Sequence, residues 1–108
     1  MVVQSHKITR FIDVNEFLDS IKDKNIELSK HALFRLGDKQ RDIFKEEIPN
    51  YIKNKTPVCV GIQGNGLYAI FYKYSSNLAI RILLISENTK VLIVTFYIIS
   101  MDKIPTQK

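Results

Sequence analysis

A chain of 108 residues, 45% hydrophobic and 25% charged, has the composition of one ordinary globular domain; it can bury roughly 60 to 70% of its unfolded surface and leaves no room for a second domain. Its formal charge of +5 favours anionic partners such as nucleic acid without requiring one. The single cysteine, Cys59, excludes an internal disulfide, Met1 to Ile12 holds no leader-like apolar stretch, and the longest apolar run, Val91 to Ile99, is too short to span a bilayer, so a cytoplasmic protein with no membrane partner is the expectation.

Residues 1 to 11 mix Val2, Val3, Ile8 and Phe11 with His6, Lys7 and Arg10 and fit an edge strand or a docked arm. Asp13 and Glu16 stand at capping-box spacing, and Val14, Phe17, Leu18 and Ile21 recur at helical spacing, which predicts a first helix running to about Lys24. Asn25 and Ile26 read as a connection. Ser29 is a favoured N-cap and Gly37 a favoured residue past a helix end, so a two-turn helix is predicted between them. Asp38 caps a third helix whose apolar stripe is Ile43, Phe44, Ile48, Tyr51 and Ile52, with Pro49 expected to kink it or end it near Ile48.

The second half changes character. Val58 to Gln63 is a strand entered through Pro57, and Gly64-Asn65-Gly66 holds the Asn-Gly pair of tight hairpin turns. Leu67 to Tyr74, Asn77 to Ile85 and Val91 to Ser100 make three more strands. The chain thus reads as a single α+β domain over 1–108: an arm and helix over 1–25, a core over 26–100 with helices packed on one face of a four-stranded antiparallel meander, and a polar tail over 101–108. In the last strand strict alternation puts Leu92, Val94, Phe96 and Ile98 on one face and Val91, Ile93, Thr95, Tyr97 and Ile99 on the other. Arg81 interrupts an apolar strand, where a carboxylate, a carbonyl, a ligand or water at a sheet edge must satisfy it, the edge position being favoured. Whether Arg81 shares a face with Thr95 and Tyr97 turns on the parity of the loop around Glu87 to Thr89.

The chemistry concentrates on the Ser29 helix. Lys30 and His31 fall in its first turn, where unpaired N–H groups and the macrodipole welcome phosphate and keep the imidazole neutral, and Arg35 follows one turn on. A metal-free ribonuclease needs a base, an acid and cations for the phosphorane. His31, Lys30, Arg35 and Arg81 are of those types, with Thr95 and Tyr97 to position an oxygen or stack a base. His6 and His31 lack companion cysteines or spaced carboxylates, so neither a metal nor another cofactor is expected. Cys59, inside an apolar run, reads as a core residue. Tyr68, Tyr72 and Tyr74 line one strand face, as a half-buried row or as a base-stacking surface.

Ser29-Lys30-His31-Ala32, followed by Arg35 and by a meander ending in Val94-Thr95-Phe96-Tyr97, resembles a family of small domains in the barnase, EndoU, colicin and RelE superfamily of toxin nucleases, over about residues 26 to 99. The resemblance implies a RelE/barnase-like fold and metal-independent RNA cleavage restrained by an antitoxin or immunity partner. It carries the catalytic histidine to His31, its neighbouring cation to Lys30, the following arginine to Arg35, and the last-strand hydroxyls to Thr95 and Tyr97. The family's Arg-Gly turn after the first helix is replaced here by Arg35-Leu36-Gly37-Asp38. Two other functions fit the same residues: a non-catalytic RNA-binding module using Lys30, Arg35 and Arg81, and a structural protein that forms a homodimer through a sheet edge.

Overall fold

The computed structural model describes residues 7–30 and 47–105. In chain order the elements are β1 (Ile8–Phe11), α1 (Val14–Ile21), β2 (Asn25–Leu28), β3 (Cys59–Gln63), β4 (Tyr68–Lys73), β5 (Leu78–Ser86) and β6 (Lys90–Ser100), with residues 47–54 helical before β3 and a 3-10 turn at Met101–Lys103 after β6. The strands form one six-stranded sheet in the order β1-β3-β4-β5-β6-β2. β3 to β6 pair antiparallel with their chain neighbours, β1 adds antiparallel to β3, and β2 adds parallel to β6.

This corrects the expected architecture. The sheet is mixed and six-stranded rather than a four-stranded antiparallel meander with N-terminal helices laid on it, because both ends of the meander are extended by short strands from the first part of the chain. β2 takes in Asn25 and Ile26, read as a connection, together with Glu27 and Leu28 before Ser29. Its Ile26 and Leu28 face the core while Asn25 and Glu27 are exposed, a two-residue alternation that pairing with Lys90–Ile93 satisfies.

Local chemistry explains the rest. The Asp13 side chain accepts from the Glu16 N–H at 3.0 Å and starts α1, which ends at Ile21 rather than near Lys24. The chain turns there because Asn25 must reach Thr89, whose carbonyl accepts the Asn25 N–H at 3.1 Å. The Asn-Gly hairpin forms with Gly66 at φ +90°, where glycine escapes the Cβ clash, and its N–H donates to the Gln63 carbonyl at 2.9 Å. Residues 47–54 are helical on both sides of Pro49, so the helix does not end at Ile48. The two-turn helix after Ser29 and the first part of the third helix lie outside the described residues beyond Lys30.

The sheet has a core on each face. Phe17 and Ile21 of α1 and Ile48, Tyr51 and Ile52 pack with Val60, Ile70, Tyr72, Ile80, Ile82, Leu84, Val91 and Ile93 on one face. On the other, Cys59, Ala69, Phe71 and Leu83 are packed by Ile8, Phe11, Ile99 and Ile104 among others. A bulge in β6 rearranges the expected faces: Leu83 pairs with Thr95 and Leu84 with Ile93, leaving Val94 as the extra residue. Val91, Ile93, Phe96 and Ile98 therefore share the helix-bearing face, and Leu92, Thr95, Tyr97 and Ile99 the other.

Tyr72 is 1% exposed, its ring stands edge-on to Tyr51 at 5.5 Å, and its hydroxyl has no hydrogen-bond partner among the described residues. Burial pushes its pKa far above the usual phenol value. Removing an unsatisfied hydroxyl at constant shape relieves a desolvation cost, so Tyr72→Phe is expected to raise stability by about 1 kcal/mol in urea unfolding. The unfolded phenol ionises near pH ~10 and the folded one higher. The stability that favours neutral Tyr72 is thus complete below the unfolded value and is lost as pH rises through the folded one; Tyr72→Phe flattens that alkaline decline.

Candidate functional site

β5 lies between β4 and β6 in the sheet's interior, so Arg81 is not the edge arginine reaching water that its sequence context favours. Instead, half-buried, it is held by side chains from three strands. Its direct neighbours are Phe71 on β4 and Tyr97 on β6. The Arg81 Cζ stands 5.2 Å from the Phe71 ring centroid and 5.9 Å from that of Tyr97, both within cation–π reach.

The guanidinium also crosses β4 to β3, where its Nη2 donates to Oε1 of Gln63. Ala69 on β4, fully buried, shares that face with Phe71. Gln63, 1% exposed, donates from Nε2 to Oδ1 of Asn65 at 3.1 Å, and the same oxygen accepts the Leu67 N–H at 3.1 Å. A chain of hydrogen bonds thus runs from the hairpin turn to the guanidinium, and two rings define the volume in which its plane sits.

Register decides which side chains join Arg81. Ser86 pairs with Val91, so Glu87, Asn88, Thr89 and Lys90, an even number, lie between them; that turn alone would set Arg81 opposite Phe96. The extra residue Val94 shifts the ladder by one, and Arg81 faces Tyr97 with Thr95 opposite Leu83 on the same side. The bulge is what gathers Arg81, Thr95 and Tyr97.

Lys30 follows β2 near the bulge in β6. The Ser29 N–H donates to the Ile93 carbonyl at 2.8 Å and its hydroxyl to the Val94 carbonyl at 3.4 Å, so the exposed Lys30 leaves the sheet beside the bulge. His31 and Arg35 lie outside the described residues. Gln63, Asn65 and Phe71 were not among the expected site residues; the one signal for them was a glutamine ending the apolar run from Val58.

Other sequence features fall elsewhere. Tyr72 is in the helix-side core, Tyr68 stacks at 5.8 Å from Phe17, and Tyr74 is exposed, so this row does not join Arg81. Cys59 packs in the second core with Ala69, Phe71 and Leu83, and burial pushes its thiol up in pKa. Among the described residues no three His, Cys, Asp or Glu side chains gather as a metal site, and no helix is long and apolar enough to cross a membrane. In comparisons with protein-family models, curated proteins and solved structures, the chain matches none.

Proposed function

We propose that this chain binds single-stranded RNA on the sheet face that carries Arg81, Thr95 and Tyr97. The observation that carries the reading is the juxtaposition of the Arg81 guanidinium, held between Phe71 and Tyr97, with a Tyr97 ring that is 40% exposed. A guanidinium meets a phosphate, an exposed ring stacks a base, and the spacing of the two suits one nucleotide. The Thr95 hydroxyl lies on the same face, the exposed Lys30 leaves the sheet near the bulge, and the formal charge of +5 supports attraction at a distance.

Metal-independent cleavage is the second reading, favoured by the bulge that brings cation and hydroxyl groups to one face. It assigns proton transfer to His31 and the scissile phosphate to Lys30 and Arg35. One assay addresses both. Fluorescence anisotropy with a labelled single-stranded RNA is expected to show affinity that falls with salt and weakens about 5- to 100-fold in Tyr97→Ala, the loss of one stacked base. Absence of binding, or binding indifferent to both salt and Tyr97, overturns the proposal. The same mixtures in EDTA report cleavage: fragments with 2′,3′-cyclic phosphate ends that vanish in His31→Ala establish the nuclease, and intact RNA leaves a binding module.

A further inference from the structure

A second cleft lies on the helix-bearing side, away from Arg81, where the end of α1, β2 and the end of the helical residues 47–54 converge around about 470 Å³. Its floor is apolar: Leu18, Ile21, Ile26 and Ile52, of which Leu18 and Ile26 keep part of their surface uncovered. Its rim is cationic, with Lys22 following α1 and Lys53 and Lys55 on the opposite wall. The Lys55 ammonium rests over the Tyr51 ring at 5.0 Å. Asp19 is the one carboxylate in the lining, and no ion pair joins it to these lysines among the described residues.

Lysines at a helix end offset the partial negative charge of its last carbonyls, and that alone would account for one lysine on each helix. It does not account for the part-exposed Leu18 and Ile26 between them, in a cleft whose size falls within the range of small-molecule sites. Such side chains take a flat ring, and a rim carrying lysines from two elements takes a doubly charged group beside it. Asn54 and Thr56 complete the wall with neutral polar groups, and the Asp19 carboxylate is an acceptor suited to a sugar hydroxyl.

From this arrangement we infer that the cleft binds a phosphate monoester attached to a base and sugar, the chemistry of a mononucleotide, with the ring on Leu18 and Ile26 and the phosphate between Lys22 and Lys53. Free nucleotides and the phosphorylated end of an RNA share that chemistry. The inference uses none of the residues of the Arg81 face, so it stands or falls separately from the RNA-binding reading.

The test is calorimetric titration of the full chain with adenosine monophosphate, adenosine and inorganic phosphate. Adenosine monophosphate is expected to bind saturably, and each of the other two about tenfold or more weaker, since each fills half of the site. The double variant Lys22→Gln/Lys53→Gln, both at exposed positions, is expected to lose about tenfold in affinity, while Lys73→Gln on the distant end of β4 keeps it. A 5′-phosphorylated RNA trimer and its unphosphorylated counterpart distinguish the sources: a phosphorylated trimer that binds at least as well as the mononucleotide identifies an RNA end, and one that binds less well identifies the free nucleotide. No saturable binding of adenosine monophosphate, inorganic phosphate binding equally well, or an unchanged double variant overturns the inference.

Discussion

Gly61→Val is expected to cost about 3 kcal/mol or more of unfolding free energy, the upper end for overpacking a closed site. A Cβ at Gly61 would stand 2.6 Å from Ile8 Cγ2 and 3.2 Å from the Arg10 carbonyl oxygen, so both a branched side chain and the backbone of β1 must give way. Among the described residues β1 is an edge strand whose one strand partner is β3, and the cheaper response is for β1 to lift away. Hydrogen exchange then reads protection lost first at Ile8 to Phe11, with the denaturation midpoint lowered. Ile8→Ala in the same chain removes the nearer clash and is expected to restore part of the loss; an additive result would show that Ile8 is not the obstacle.

Arg81→Ala carries the next largest effect, about 2 to 4 kcal/mol, because it removes a charged hydrogen bond and the guanidinium's stacking on two rings at once. It leaves the Gln63 amide oxygen without the guanidinium it accepts from, in a side chain that is 1% exposed. Arg81→Lys is expected to recover little, because an ammonium cannot both stack between Phe71 and Tyr97 and reach Gln63. In a double-mutant cycle with Gln63→Leu, a coupling of about 1 to 2 kcal/mol measures the pair directly. A coupling near zero would show that the rings alone hold the guanidinium. Under the proposed function, Arg81→Lys also weakens RNA binding while preserving the net charge, which separates shape from electrostatics.

The central strands were legible in the sequence because their signals are local. β-branched and aromatic runs mark β3 to β6, and an Asn-Gly pair marks the first hairpin between them. The Asp13 cap was legible for the same reason. β2 was not: it is four residues, two of them Asn and Glu, and what makes it a strand is Lys90–Ile93, far along the chain. The bulge at Val94 carries no glycine or proline to announce it, yet it decides which side Tyr97 takes. Parity does govern whether Arg81 meets Thr95 and Tyr97, but it is set by one extra residue within the strand rather than by the turn. Arg81 itself stood out as an arginine among isoleucines, but its acceptor lies 18 residues earlier, beyond any local pattern.

The placement of the edge strands has a consequence for biosynthesis. Both β1 and β2 come from the early part of the chain, while the strands they must join, β3 and β6, are made later, β6 last of all. As the chain leaves the ribosome, α1 therefore emerges with Phe17 and Ile21 uncovered and no sheet to cover them. The β3–β4–β5 pairings can form as soon as those strands are synthesised, since they join chain neighbours, but the β2–β6 pair waits for β6. A nascent chain stalled before β6 would thus be a sticky, half-built sheet, exposed for as long as translation of its final strand takes.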